Sequence, residues 1–104
     1  MYRSGEGVPE DAAEALRWYR LAADQGLARA QVNLGNMYAT GDGVPEDDVQ
    51  AYMWYDLAAS RQTGEDRELS VEARDAVARS MTSAQLAEAQ RLAREWDEAH
   101  PPEP

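Results

Sequence analysis

Two copies of one phrase decide the fold predicted for this chain. Residues 4–23 read "SGEGVPEDAAEALRWYRLAA", and residues 40–59 read "TGDGVPEDDVQAYMWYDLAA". At an offset of 36 residues, positions 2–24 and 38–60 are identical at 13 of 23 positions. A fixed period of about 20 to 50 residues is typical of a solenoid, whose units stack because no unit buries its apolar face alone.

The second copy predicts a helix, a turn and another helix. Apolar side chains recur at steps of three and four from Leu27 to Tyr38, which indicates a helix with one buried face. Residues 40–47 contain two glycines and a proline, so they predict a sharp turn. Asp47 and Gln50 have the spacing of a capping box at the start of the second helix. The predicted buried stripe of that helix is Ala51, Trp54, Tyr55 and Ala58.

Four further positions predict how the helices begin, end and pack. Gly35 lies inside the first helix of the second copy, where glycine costs about 1 kcal/mol relative to alanine. We expect close approach of the partner helix to compensate this cost. In the first copy, Asp11 and Glu14 repeat the capping-box spacing, and Gly26 is the predicted residue that ends the helix.

These residues resemble the Sel1-like repeat family, a relative of the tetratricopeptide repeat. The family pattern is matched in order by Ala30, Leu34-Gly35, Tyr38, Gly41, Gly43-Val44, Asp47, Ala51, Trp54-Tyr55 and Ala58-Ala59. The resemblance covers residue 2 to about residue 62, where the usual Gln-Gly ending is replaced by residues 60–64. It implies an all-α fold, a right-handed alpha-alpha superhelix of antiparallel helix pairs, and a role in binding proteins or peptides.

Helix signals continue after the repeats end. One helix is expected to bury Leu69, Ala73, Ala76, Val77 and Ser80. A second begins with the capping-box pair Thr82 and Gln85 and is expected to bury Leu86, Ala89, Ala93 and Trp96. Since solenoids end in atypical units, these helices are predicted to cap the stack.

The predicted organisation is therefore a single domain over residues 1–104. It comprises a partial first repeat (1–26), a complete second repeat (27–62), C-terminal capping helices (65–99) and a disordered tail (100–104).

Composition and charge limit the partners. The net charge is −10 and the isoelectric point is near 4.4, so we expect neither nucleic acid nor an anionic membrane as a partner. All ten basic residues are arginine and there are 19 alanines, a composition typical of a GC-rich bacterial source. No signal segment opens the sequence, so we expect a cytoplasmic protein, or a periplasmic or secreted one if an N-terminal segment is missing.

No catalytic or metal-binding constellation is found in the sequence. Cysteine is absent, and the one histidine, His100, is expected to be exposed and inert in the tail. Nucleophile–base pairs and histidine or thiolate zinc sites therefore lack their residues. The acidic loop at residues 42–48 lacks the ligand spacing of a calcium loop and is interpreted as a turn with a helix cap. We predict no enzyme, no cofactor and no metal.

The candidate partner groove lies on the first helix of the second repeat. If Leu34 and Gly35 face the partner helix, the other flank carries Arg29, Val32, Asn33, Asn36 and Thr40. First helices line the concave side of stacked helix pairs in such repeats. Arginine and asparagine there are suited to the backbone or carboxyl end of an extended peptide, as in tetratricopeptide relatives. The alternative is that these residues are merely solvated.

The first copy lacks a counterpart of the helix that opens the second. Four of its residues would normally pack partly against such a helix: Ala15, Trp18, Tyr19 and Ala22. Burying a large apolar side chain contributes about 1.5–3 kcal/mol, and an exposed apolar patch marks an interface. For the tryptophans, core packing is otherwise expected rather than ligand stacking. We expect a homodimer through this N-terminal face; an upstream segment or a different partner are the alternatives.

The sequence as a whole predicts a non-enzymatic protein–protein interaction module, a small bacterial adaptor for a protein or peptide partner. Two alternatives stay open. In place of an adaptor, the chain is either a self-assembling structural protein or a fragment of a longer repeat protein without a peptide ligand.

Overall fold

The computed structural model describes residues 8–101, with side chains from residue 13 onward. This part of the chain forms five helices and no strand: α1 (Val8–Asp24), α2 (Ala28–Thr40), α3 (Asp48–Arg61), α4 (Gly64–Ala78) and α5 (Ser83–Ala99). The predicted all-α class is confirmed. Residues 1–7 of the predicted partial first repeat and residues 102–104 of the predicted tail lie outside the described residues.

α3 is the central helix of the fold. It contacts α2, α4 and α5, and its predicted buried stripe is confirmed. Because helices cover it on several sides, neighbours of that stripe are buried as well: Tyr52, Met53, Leu57 and Ala59. The core cluster then joins Leu34 of α2, Trp54 of α3 and Ala93 of α5 to Ala23 at the end of α1.

The predicted close approach at Gly35 is confirmed. A Cβ atom built on Gly35 would lie 2.6 Å from Cε1 of Tyr55, well inside van der Waals contact. Only a glycine lets α2 and α3 meet at this distance, so the contact compensates the helix-propensity cost of glycine.

The turn between α2 and α3 is tied at both ends. Gly41 adopts a positive φ of 77°, and its N–H donates to the Met37 carbonyl at 2.8 Å. Asp47 caps α3 as predicted, because its Oδ1 accepts from the N–H of Gln50 at 3.1 Å. The reciprocal half of the capping box is not made, since the N–H of Asp47 donates instead to the Tyr38 carbonyl at 2.9 Å.

The start of α1 differs from the prediction. The helix begins at Val8, three residues before Asp11, so Asp11 lies inside the first turn and is not the N-cap. Proline is tolerated in a first helical turn, and acidic residues there are stabilised by the helix dipole. The prediction of the helix end is confirmed, because Gly26 has a positive φ of 85°.

The face that α4 buries was predicted only in part, because Ala73 and Val77 are half-buried but the other three predicted residues are not. Leu69 is 58% exposed, and Ala76 and Ser80 are exposed as well. The buried residue is Ser70, whose hydroxyl donates to Oε1 of Gln62 at 2.5 Å. Arg74 also reaches Oδ1 of Asp56 at 2.9 Å. α4 thus docks on α3 partly through polar contacts, which an apolar pattern does not record.

α5 follows its prediction until its last turn. Thr82 and Gln85 form both hydrogen bonds of the capping box, and Ala89 and Ala93 are buried. His100, however, is half-buried, and its ring stacks on Trp96 at a centroid distance of 3.9 Å. The expectation of a free, exposed histidine is wrong because His100 is the C-cap residue of α5 and lies one turn beyond Trp96, on which its ring packs.

Candidate partner-binding surfaces

A cleft of about 460 Å³ lies between α2 and the start of α4. One wall consists of Ala28, Arg29, Val32 and Asn36 on α2. The other consists of Gln62, Asp66, Leu69, Ser70 and Ala73. The lining of the cleft therefore combines charged groups and amides with the apolar side chains of Val32 and Leu69.

The structure brings together three of the five predicted groove residues. Arg29, Val32 and Asn36 line the cleft, whereas Asn33 and Thr40 do not. The Thr40 hydroxyl donates to the Asn36 carbonyl at 2.9 Å, so it is used within α2.

The wall formed by Gln62 and α4 was not predicted. The 36-residue offset places Glu65 and Glu68 at the positions of Arg29 and Val32, so the period alone locates this helix beside the groove. The side chains that line the cleft are nevertheless neighbours of those positions, such as Asp66 and Leu69. The repeat period therefore predicts that a helix follows at the second wall, but it does not predict which side chains of that helix line the cleft.

Two hydroxyl groups hold the amides of the cleft. The Tyr55 hydroxyl donates to Oδ1 of Asn36 at 2.6 Å, and the Ser70 hydroxyl donates to Oε1 of Gln62. Burial raises the pKa of Tyr55 above its usual value of about 10. The hydroxyl is a donor at neutral pH with or without this shift. Within residues 13–101, neither amide nitrogen makes a hydrogen bond.

The charges of the cleft are sparse. Arg29 is exposed and makes no ion pair with any residue that the structure describes, unlike Arg17, Arg61, Arg74 and Arg91. Asp66 is the one carboxylate in the lining and stands on the opposite wall. The cleft is therefore suited to a partner that supplies an acceptor for Arg29.

A second surface lies on α1. Trp18 is 64% exposed and Leu21 is 51% exposed, whereas their repeat counterparts Trp54 and Leu57 are 3% and 1% exposed. The core-packing expectation therefore holds for Trp54 and is wrong for Trp18.

The other residues predicted for self-association are less exposed than Trp18. Ala15, Tyr19 and Ala22 are half-buried, and Tyr19 and Ala22 pack against the core cluster. Leu21 was missed in the prediction, although its alignment with the apolar Leu57 was a usable signal.

The described residues show little else that binds ligands. No group of three or more histidine, aspartate or glutamate side chains between residues 13 and 101 is placed to hold a metal ion. A second cavity of about 870 Å³ lies beside the α1–α2 turn, with Asp24, Arg61, Trp96 and His100 among its lining. None of the five helices is long and apolar enough to cross a membrane.

Comparisons with known proteins agree with the architecture. Residues 1–27 and 28–62 each match the model of the Sel1 repeat. A crystal structure of a protective antigen from uropathogenic Escherichia coli strains, which displays an SLR fold, is 36% identical and superposes with a TM-score of 0.73. The match covers 82% of this chain but only 18% of the antigen chain. A comparison with curated proteins gives no match.

These similarities bear on function at a general level. Sel1 repeats are generally protein-interaction modules, and proteins with this fold are typically non-catalytic scaffolds. The helices of the structure, the superposition with an SLR fold and the two matched spans all agree. The two spans that match the repeat model cover more than half of the sequence. The chain belongs to the Sel1 repeat family.

Proposed function

We propose that this chain is a non-catalytic adaptor that binds an extended segment of a protein partner in the cleft between α2 and α4. The observation that carries the proposal is the arrangement of Arg29, Val32 and Asn36 along one wall, with Leu69 exposed on the other. The general role of Sel1 repeats in protein interactions supports it.

The spacing along α2 fits an extended peptide. Arg29 and Asn36 are seven residues apart, which is about 10 Å at a rise of about 1.5 Å per residue. An extended chain advances about 3.3 Å per residue, so about three residues of a partner span this distance. Such a segment would place an apolar side chain between Val32 and Leu69 and a carboxylate, from a side chain or the C-terminus, at Arg29.

Matched pairs of variants test this function. We would select binders from an array of random heptapeptides and measure their affinity by fluorescence polarisation. Arg29→Ala and Leu69→Ser alter the cleft, while Arg67→Ala and Leu27→Ser change an exposed arginine and a 55% exposed leucine outside its lining.

We expect the cleft variants to bind about tenfold more weakly and the matched controls to bind like the wild type, because one charged contact or buried apolar group contributes about 1.4 kcal/mol. Equal losses in both sets, or an array without binders, would count against the cleft.

Self-association through α1 is a second candidate, supported by the exposure of Trp18 and Leu21. A homodimer in which these side chains meet would remove a large apolar surface from water. Light scattering at micromolar concentration measures the mass. We expect a dimer that Trp18→Gln dissociates and that Leu27→Ser leaves intact; a monomeric wild type would exclude this candidate.

A further inference from the structure

We infer that Tyr55 and Ser70 set the hydrogen-bond polarity of the cleft, so that it favours a ligand that presents acceptors, such as main-chain carbonyls, to the amides of Asn36 and Gln62. This inference rests on the proposed function of the cleft. Tyr55 belongs to α3 and does not line the cleft, and Ser70 is 4% exposed at its wall. Both act on the ligand through the amides of Asn36 and Gln62.

The Tyr55 side chain has one available position. It is 4% exposed, and its ring lies against Gly35, where no Cβ atom fits. From this position the hydroxyl donates to Oδ1 of Asn36 at 2.6 Å, and it donates to no other described residue. A flipped Asn36 amide would leave the hydroxyl proton of Tyr55 without an acceptor, which is costly for a group held in a part-buried contact.

The Gln62 amide is also held through its oxygen atom, by the hydroxyl of Ser70. Ser70 donates to Oε1 of Gln62, and both groups are at least half-buried. An amide has one oxygen acceptor and an NH₂ group with two donors. With both oxygens engaged by hydroxyls of the protein, the remaining groups are the NH₂ of Asn36 and the NH₂ of Gln62.

The lining of the cleft is therefore biased toward donors. Arg29, Asn36 and Gln62 supply N–H groups, and Asp66 alone supplies a carboxylate. A ligand with carbonyl or carboxylate oxygens pairs with these groups, whereas a lysine or arginine side chain finds a single partner. The bias is opposite to what the net charge of −10 suggests, since an acidic protein attracts basic partners over long distances.

The first test replaces a donor with an acceptor of the same shape. Asn36→Asp exchanges the NH₂ group for a carboxylate oxygen, and Asn33→Asp makes the same charge change on α2 outside the cleft lining. The probe is the tightest heptapeptide from the random array. We expect about tenfold weaker binding for Asn36→Asp than for Asn33→Asp. Equal affinities of the two variants would overturn the inference.

The second test measures directly whether main-chain carbonyl groups of the heptapeptide accept hydrogen bonds in the cleft. Thioamide analogues of the same heptapeptide replace one main-chain oxygen at a time with sulfur, a weaker acceptor. In the wild type we expect at least one position where the analogue binds about threefold more weakly. In Tyr55→Phe this sensitivity should weaken at the position facing Asn36, because the amide is then free to present either its oxygen or its NH₂ group. Uniform affinities across the wild-type series would contradict the inference.

Two readouts separate a positioning role from a structural one. Loss of the Ser70 hydroxyl in Ser70→Ala should relax the preference for acceptors, and Ser70→Thr should restore it, while circular dichroism reports that each variant is folded. If Tyr55→Phe does not fold, Ser70→Ala with Ser70→Thr still tests the orienting role, and Asn36→Asp still tests the donor in the cleft.

The outcomes for the inference and for the proposed function are distinguishable. If Arg29→Ala and Leu69→Ser weaken the heptapeptide but Asn36→Asp matches Asn33→Asp, the cleft binds peptides and the inference is wrong. If the cleft variants have no effect, or no heptapeptide binds, the proposed function fails and the inference falls with it.

Discussion

Trp18 and Trp54 occupy the same place in the repeated phrase, yet one is 64% exposed and the other 3%. Their helices differ in what surrounds them. α3 contacts α2, α4 and α5, whereas among the described elements α1 makes its main contact with α2. The same residues are therefore core or surface according to their neighbours, which is the property of a stack whose units cannot bury their apolar faces alone.

α1 and α3 also begin at different points relative to the same repeated sequence, Val-Pro-Glu-Asp. Val8-Pro9-Glu10 lies inside α1, while Val44-Pro45-Glu46 lies in the turn before α3. In the second copy the N–H of Asp47 donates to the carbonyl of Tyr38, which ties this residue to the preceding helix. The N–H of Asp47 thus contacts α2 at the start of α3, whereas the capping-box spacing alone predicted the start of α1 three residues too late.

The largest expected contrast is between the two tryptophans. Trp54→Ala should lower the free energy of unfolding by about 3–5 kcal/mol, because it leaves a cavity in the core. Trp18→Ala should change it by less than about 0.5 kcal/mol in the monomer, as for an exposed position. Urea denaturation of both variants measures the difference. Similar losses would show that Trp18 is buried in solution.

Gly35 sharpens the comparison at the interface of α2 and α3. Gly35→Ala should cost about 1–3 kcal/mol, since its Cβ atom would overlap the Tyr55 ring. The gain in helix propensity, about 1 kcal/mol, offsets only part of this. Asn33→Ala, which gains propensity without a clash, is the control in thermal and urea unfolding. A Gly35→Ala variant as stable as this control would mean that the helices separate easily.

The two aspartates at the helix starts should differ by a smaller amount. Asp47→Ala removes the acceptor for the N–H of Gln50 and should cost about 1 kcal/mol. Asp11→Ala changes a residue inside the first turn of α1, where we expect a loss below about 0.5 kcal/mol from the helix dipole. Chemical denaturation compares them, and a larger loss for Asp11→Ala would place the start of α1 at Asp11 after all.

The smallest expected effect concerns an exposed ion pair of α1. Arg17 pairs with Glu14 at 3.5 Å, and both side chains are more than half exposed. Arg17→Gln should cost about 0.3 kcal/mol and nothing at high salt. Arg74→Gln, which removes the less exposed pair between α4 and Asp56, should cost more at every salt concentration. The reverse order would mean that α4 docks through apolar contacts alone.

Local patterns were sufficient for several features of the fold. The close approach at Gly35, the capping box of Thr82 and Gln85, and the buried positions of α5 depend on residues close in sequence or on the repeat period. They were predictable because helix periodicity and capping depend on a few consecutive residues. The groove wall of α2 was predictable in part for the same reason, with Arg29 and Asn36 spaced along one helix.

The repeated sequence by itself determined the helices, their pairing around Gly35 and the membership of the Sel1 repeat family. The tertiary structure alone decided that Leu69 faces a cleft and is not part of the buried face of α4. It also decided that Tyr55 and Ser70 orient the amides of Asn36 and Gln62. The hydrogen bonds that orient these amides join residues 19 and 8 positions apart along the chain, and the apolar pattern of one helix contains no record of them.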